Sequence, residues 1–196
     1  NMPGMELENV YPATELIREL KIGDNLQLPK GTKNAIVIGG GNTAIDIARE
    51  LLVGGVSEVS LVYRRSEKDM SGYKHELAAG RLEGLRLLEN LSPKSIVKSS
   101  SGQLELTCSN QSKEDEKLGT DMVVFAIGQN KQTTILNSIA GLELTDDGCV
   151  KVDQQTYETT VAHLYAGGDC INGGKEVVNA VAHGRDAAYA MLKNWL

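Results

Sequence analysis

The sequence predicts an α/β fold built around a parallel sheet, and three stretches carry this prediction. Residues 35–38 are four apolar residues in a row, three of them β-branched, which is typical of a strand buried on both faces. Apolar residues at helical spacing follow over 44–52, and a second strand-like run occupies 56–63. A strand, a crossover helix and a strand of this length form a right-handed parallel pair.

The composition is that of an ordinary globular protein. Of the 196 residues, 41% are hydrophobic and 23% are charged, which excludes a disordered chain. The formal net charge of −6 argues against nucleic acid or an anionic membrane as the main partner, and only 4% of the residues are aromatic, too few for a single-strand stacking platform. No apolar run approaches the roughly 18 residues of a membrane-spanning helix.

The three cysteines, Cys108, Cys149 and Cys170, include no Cys-x-x-Cys pair. This spacing excludes a local redox disulfide, an iron–sulfur ligand run and the usual zinc motifs. A reducing, cytoplasmic setting is the simplest interpretation.

The first 30 residues hold three of the four prolines. A short helix is expected over 13–20, followed by a lead-in loop over 26–31. Two interpretations stay open for residues 1–30, an unpacked linker and a packed connector.

The strand at 35–38 runs directly into the glycine frame Gly39-x-Gly41-x-x-Ala44. Gly39 permits a tight turn, Gly41 lets the backbone approach a pyrophosphate, and Ala44 lets the helix pack close to the strand. The helix over 42–52 then directs its first N–H groups at the phosphates. We therefore expect a Rossmann-like dinucleotide-binding unit rather than a turn that is glycine-rich by chance.

The residues at the end of the second strand decide whether such a fold prefers NAD or NADP. An NAD site usually has an acid there for the ribose hydroxyls, about 20 residues after the glycines. This chain has Arg64 and Arg65 instead, and a guanidinium fork suits the 2′-phosphate of NADP. The alternative is a solvated surface pair. Ser66 is expected to add a hydroxyl, whereas Glu67 is a possible competing partner for an arginine.

The remaining elements are read from periodicity and turn residues. In the first part they are a helix over 75–84, a strand over 85–89, an antiparallel hairpin of 95–98 with 104–108, a polar loop over 109–119 and a buried strand over 122–128. In the second part they are a strand–turn–strand at 141–152, a strand over 164–169 and a long helix over 175–196.

Several motifs in this order resemble one known family. The first motifs resemble the NADPH-binding domain of the glutamate synthase small (β) subunit and of relatives such as dihydropyrimidine dehydrogenase. They are Gly39-Gly40-Gly41-Asn42-Thr43-Ala44-Ile45-Asp46, Val62-Tyr63-Arg64-Arg65, and Met70 with Glu76. Two later motifs resemble the FAD-domain signatures of the same family. They are Phe125-Ala126-Ile127-Gly128-Gln129 and Tyr165-Ala166-Gly167-Gly168-Asp169. One departure is Met70-Ser71, where many relatives have Met-Pro.

The resemblance implies a flavoprotein oxidoreductase that passes a hydride from NADPH to FAD and on to an iron–sulfur or partner subunit. It implies a connector over 1–30, a three-layer NADP-binding domain with a β-hairpin or meander over 31–130, and the C-terminal portion of an FAD-binding domain over 131–196. The family's earlier FAD fingerprint has no counterpart in this sequence, so we expect a C-terminal fragment that binds NADP(H) and binds FAD weakly or not at all.

The expected cofactor contacts follow residue by residue. On the NADP side they are Gly39, Gly40, Gly41, Asn42, Thr43, Ala44, Arg64 and Arg65. On the flavin side the resemblance implies Ile127, Gly128, Gly168 and Asp169, with Asp169 bonding the ribityl or pyrophosphate region or, alternatively, serving only as a turn acid. A helix-dipole argument adds the N–H groups of Glu176 and Val177.

No catalytic acid, base or nucleophile is expected, because the cofactors carry the chemistry of hydride transfer. His75, His163 and His183 are not spaced as metal ligands and are interpreted as surface or packing residues. The alternative function is a non-catalytic nucleotide-binding module that docks on a partner subunit. Thioredoxin reductase is a third possibility on fold grounds, but it needs a Cys-x-x-Cys pair that this sequence lacks.

Overall fold

The computed structural model describes residues 2–22, 28–29, 31–100, 102–128 and 133–195. The chain divides into an N-terminal unit, 1–128, and a C-terminal unit, 129–196. Residues 26, 27 and 30 of the expected lead-in loop, and Gln129 of the flavin signature, lie outside the described residues.

The elements of the N-terminal unit, in chain order, are β1 Val10–Pro12, α1 Ala13–Ile22, β2 Asn34–Ile38, α2 Asn42–Val53, β3 Glu58–Tyr63, α3 Lys74–Leu82, β4 Arg86–Glu89, β5 Ser92–Lys98, β6 Leu104–Ser109, β7 Asp115–Thr120 and β8 Met122–Phe125. A 3-10 turn, Glu67–Asp69, precedes α3.

Five parallel strands form the main sheet in the order β1-β8-β2-β3-β4. The order reverses at β2, because β3 and β4 continue to one side while β8 and β1 lie on the other. Ligands of open α/β sheets bind beyond the carboxyl ends of the strands at such a reversal. The glycine loop after β2 therefore occupies the expected binding position, and the predicted βαβ unit is confirmed.

The two faces of β2 serve two different cores. Ala35 and Val37 pack with the helices, in a cluster that includes buried residues of α1, α2 and α3. Ile36 and Ile38 face the opposite side and pack with buried residues of β5 and β6. The layers are thus helices, the parallel sheet and the antiparallel sheet β5-β6-β7.

Two strands of the N-terminal unit differ from the sequence predictions. The prediction of a polar loop over 109–119 is wrong for its second half, because β7 pairs antiparallel with β6 through backbone hydrogen bonds. The polar side chains of β7 gave no sign of a strand. β1 was not predicted, since three residues ending in proline show no period, yet it pairs parallel with β8. α1 follows β1 directly and buries Ala13 and Leu16, so this stretch is packed.

The C-terminal unit contains α4 Thr133–Asn137, α5 Asp169–Asn172 and α6 Val177–Trp195. The expected strands at 141–152 and 164–169 are reduced to isolated bridges, which pair Leu144 with Val150, Val152 with Thr159 and Glu158 with Tyr165. The last helix is confirmed. Among the residues that the structure describes, no helix is both long and apolar enough to cross a membrane.

Truncating a buried β3 side chain should destabilise the protein. Leu61 has no exposed surface, so Leu61→Ala is expected to lower the free energy of unfolding by about 2–5 kcal/mol through lost burial and a residual cavity. Leu82→Ala is the control, because Leu82 is 92% exposed on α3 and its truncation should cost less than about 0.5 kcal/mol. Urea unfolding measures both; equal losses would contradict the assigned core.

Candidate functional site

The glycine loop begins where β2 leaves the sheet. The Gly39 N–H donates to the Val62 carbonyl at 3.0 Å, and the Ala126 N–H donates to the Ile38 carbonyl at 2.8 Å, so both neighbouring strands pair to the edge of the loop. Gly39 has a φ of +153°, and a Cβ there would lie 2.4 Å from the Ala126 carbonyl oxygen. Glycine is required at this position by the backbone that follows β8.

Gly40 lies against an aromatic ring. A Cβ at Gly40 would lie 2.4 Å from a ring carbon of Tyr63, the last residue of β3. The Tyr63 hydroxyl in turn donates to the Asp69 carbonyl at 2.8 Å. Tyr63 therefore connects the glycine loop to the 3-10 turn, a role that its place in a strand did not indicate.

Gly41 differs from both, because the nearest described atom to a Cβ there is the Ser71 hydroxyl oxygen at 3.5 Å. Its backbone, with φ −96° and ψ 178°, is open to any residue. Gly41 is the N-cap of α2, and it brings no side-chain cap and no acid in the first turn. The first N–H groups of α2, those of Asn42 and Thr43, have no intrahelical acceptor and suit an anion.

Residues 71–73 lie across the start of α2. The Gly72 N–H donates to the Gly40 carbonyl at 3.0 Å, and the Tyr73 N–H donates to Asn42 Oδ1 at 2.8 Å. These bonds hold the Ser71 hydroxyl beside Gly41. In the sequence, position 71 stands out only as a departure from Met-Pro, because its place near the loop depends on a tertiary contact.

The arginine pair follows β3 and is exposed. The Arg65 guanidinium carbon lies 5.7 Å from the centroid of the Tyr63 ring, and Gly40 lies against the same ring. Neither Arg64 nor Arg65 forms an ion pair with a carboxylate of the described residues. The structure therefore brings the glycine loop and the arginines together in one unit.

The neighbours of the pair are engaged elsewhere. Glu67 accepts two hydrogen bonds from Arg81, at 2.9 and 2.7 Å, rather than pairing with Arg64 or Arg65. The Ser66 hydroxyl donates to Asp69 Oδ2 at 2.6 Å, and this bond is the main reason that the pKa of Asp69 lies below its ordinary value. The Ser66 hydroxyl, which was expected to help bind the 2′-phosphate, thus already donates to Asp69. The expectation that Glu67 competes for Arg64 or Arg65 is wrong, because Glu67 pairs with Arg81.

In the C-terminal unit, the Asp169 turn, defined here as Gly167-Gly168-Asp169, leads into α5. Gly168 has φ +73° and ψ −147°, a conformation that is essentially restricted to glycine. Asp169 is exposed, and its Oδ1 accepts the Lys175 N–H at 3.2 Å. The turn thus presents the Asp169 carboxylate at the surface of the unit.

The other expected flavin contacts lie on both units. Ile127 is 68% exposed beyond β8 and Gly128 has a φ of +109°. Val177, the first residue of α6, is 78% exposed. The Glu176 N–H donates to Asn179 Oδ1 at 3.2 Å, so a ligand would have to replace that bond.

A separate cavity of about 420 Å³ lies at the carboxyl end of β4. Its lining includes Glu89 and Glu116 but no lysine or arginine, so it does not suit a phosphate. Within the described part of the chain, no cluster of three or more His, Cys, Asp or Glu residues could hold a metal ion.

A family profile described as pyridine nucleotide-disulphide oxidoreductase matches residues 1–184. The chain is 32% identical over 196 residues to the NADP(+)-dependent formate dehydrogenase subunit beta of Moorella thermoacetica, covering 92% of this chain and 27% of that protein. It is 29% identical over 178 residues to the glutamate synthase [NADPH] small chain of Halomonas elongata, covering 82% and 38%. The resemblance to this family is confirmed, and the chain spans well under half of either relative.

Solved structures show the same fold. Thioredoxin reductase of T. acidophilum matches with a TM-score of 0.78 at 19% identity, over 99% of this chain and 61% of that one. Bacillithiol disulfide reductase of Staphylococcus aureus matches with a TM-score of 0.70 at 21% identity, over 99% and 58%. At these identities the likeness concerns the fold alone, and it confirms the predicted fold class.

Proposed function

Because the chain belongs to the pyridine nucleotide-disulphide oxidoreductase family, we propose that its N-terminal unit binds NADPH and that the protein passes a hydride from NADPH to FAD. Members of this family are FAD- and NAD(P)H-dependent oxidoreductases. The finer proposal is an enzyme of the glutamate synthase small-subunit type. The observation that carries the proposal of NADPH binding is the uncapped start of α2 beside Gly41, with two arginines nearby that form no ion pair within the described residues.

The start of α2 is suited to the pyrophosphate. The Asn42 and Thr43 N–H groups and the helix dipole favour an anion, each such interaction contributing about 0.3–1 kcal/mol at an exposed site. The space beside Gly41 lets the phosphate approach the backbone, and the Ser71 hydroxyl lies within reach of the same space. Gly39, Gly40 and Ala44 are also proposed cofactor contacts, and the two glycines in addition allow the close approach of Ala126 and Tyr63 to the loop.

The arginine pair is assigned to the 2′-phosphate. Arg64 and Arg65 are exposed at the end of β3, where a dinucleotide fold holds the adenosine ribose. A charge-assisted hydrogen bond to a phosphate contributes about 1.5–3 kcal/mol. Because neither arginine is paired with a described carboxylate, little of that energy is lost in breaking existing bonds.

In the C-terminal unit, the Asp169 turn is assigned to FAD together with Glu176 and Val177. Ile127 and Gly128 of the N-terminal unit stay proposed flavin contacts on the family resemblance alone. The exposed Asp169 carboxylate can accept a hydrogen bond from a hydroxyl of the ligand. The nicotinamide would donate the hydride and the flavin ring would accept it, so no side chain is needed as acid or base.

Onward transfer would go to an iron–sulfur centre or a partner subunit. Two relatives carry the names of subunits, formate dehydrogenase subunit beta and glutamate synthase small chain, and this supports a partner for the present protein. A reducing, cytoplasmic setting is part of the proposal.

Calorimetric titration with NADPH and NADH, followed by a dye-reduction assay with added FAD, tests this function. We expect tighter binding of NADPH than of NADH, and dye reduction that depends on both NADPH and FAD. NADPH binding without dye reduction would favour the non-catalytic module, and absence of NADPH binding would refute the proposal.

A further inference from the structure

A histidine with no role assigned from the sequence holds the Asp169 turn. His183 lies on α6, and its Nδ1 accepts the Gly168 N–H at 3.0 Å. This contact joins the helix directly to the residue that precedes Asp169. His183 is therefore more than a surface histidine.

The turn and the helix are fitted closely around this bond. A Cβ at Gly167 would lie 2.9 Å from the His183 Cβ, and a Cβ at Gly168 would lie 3.1 Å from the Ala180 Cβ. The two glycines thus allow the backbone to lie against α6. The hydrogen bond then fixes the direction in which the chain leaves the turn and enters Asp169.

The imidazole is also held from its other side. Its ring centroid lies 5.1 Å from that of Tyr157, with an angle of 32° between the planes. Since Nδ1 accepts a hydrogen bond, the neutral ring must carry its proton on Nε2. An imidazolium has no acceptor, so protonation of His183 removes the bond to Gly168.

Charged and titratable groups surround this ring from each neighbouring element. On α6 itself, Asp186 and Arg185 form an ion pair at 2.7 Å, which holds the pKa of Asp186 below its ordinary value. Tyr157 packs from the 153–158 turn, and Asp169 follows Gly168 in the turn that His183 holds. Asp186 pairs with Arg185 and also interacts electrostatically with His183, whereas the hydrogen-bonded partner of Nδ1 is the Gly168 N–H.

We propose that His183 is a positioning residue that holds the Asp169 turn in its flavin-binding shape only while its imidazole is neutral. This rests on the proposed function, in which Asp169 contacts FAD. Protonation of His183 should therefore lower flavin affinity by about 10-fold, as expected for the loss of one part-buried hydrogen bond.

Three variants separate this role from packing. His183→Asn retains an acceptor at the position of Nδ1 but does not titrate, whereas His183→Phe retains a ring against Tyr157 and has no acceptor. His163→Asn is the matched control, since it removes an exposed histidine of the same unit. FAD dissociation constants are measured by flavin fluorescence between pH 8 and pH 5.5, and ¹⁵N NMR reports the His183 tautomer and the Gly168 amide without flavin.

The wild type and His163→Asn should lose flavin affinity about 10-fold on acidification, His183→Asn should change by less than about 2-fold, and His183→Phe should bind weakly throughout. An Nδ1–H tautomer at pH 8, or the same acid loss in His183→Asn, would overturn the role of His183. If NMR shows the bond while the wild type and all three variants bind FAD equally, the assignment of the turn to flavin is wrong, and so is the proposed pH dependence.

Discussion

Replacing both Arg64 and Arg65 with alanine is expected to weaken NADPH binding by on the order of 100-fold while changing NADH binding by less than about 3-fold. The two cofactors differ only in the 2′-phosphate, so the difference between the two losses measures what the arginines contribute to that group. Isothermal titration of both nucleotides provides the measurement.

A double variant that removes the same charge elsewhere is the control. Arg18 on α1 and Arg86 at the start of β4 are both exposed. Arg86 lies at the amino end of its strand, away from the carboxyl ends of the sheet. Arg18→Ala/Arg86→Ala should leave NADPH binding nearly unchanged. Equal losses for NADPH and NADH in the Arg64/Arg65 variant would show that the pair does not bind the phosphate.

Gly41→Ala should abolish most nucleotide binding without unfolding the protein. The backbone there accommodates alanine, and a Cβ would meet the nearest described atom, Ser71 Oγ, at an ordinary 3.5 Å. The free energy of unfolding should therefore change by less than about 1 kcal/mol. The added methyl group would occupy the approach of the pyrophosphate, and NADPH binding should weaken by about 10- to 100-fold. Urea unfolding and calorimetric titration give the two values.

Two other glycines are the controls for this variant. Gly40→Ala should destabilise the protein, because its Cβ would lie 2.4 Å from the Tyr63 ring. Gly119→Ala on β7 should change neither property strongly, since the nearest atom to its Cβ is at 3.7 Å. Unchanged NADPH affinity in Gly41→Ala would mean that the phosphates do not approach this part of the loop.

The glycine loop could be predicted from the sequence, but the reason for each of its glycines could not. The frame at Gly39, Gly41 and Ala44 was visible because strand, glycines and helix are adjacent in the chain. The reason that each glycine is needed was not visible. A Cβ at Gly39 would meet the backbone of Ala126, which directly follows β8, and a Cβ at Gly40 would meet the ring of Tyr63, which ends β3. Both strands pair with β2 only in the folded sheet.

The role of His183 and the strand β7 could not be predicted from the sequence. A histidine within a helix has no sequence pattern that identifies a backbone N–H 15 residues earlier as its partner. The β7 segment Asp-Glu-Lys-Leu-Gly-Thr has no apolar alternation, so only its ladder with β6 makes it a strand.

Local periodicity and adjacent motifs were sufficient for the βαβ unit, the α/β class and the arginine pair at the end of β3, because these depend on residues close together in the chain. Tertiary packing decided the antiparallel third layer, the parallel β1, the Arg81 partner of Glu67 and the contact of His183 with the Asp169 turn. These features depend on hydrogen bonds and contacts between distant segments, whose partners are set only once the sheet order and the helix positions exist.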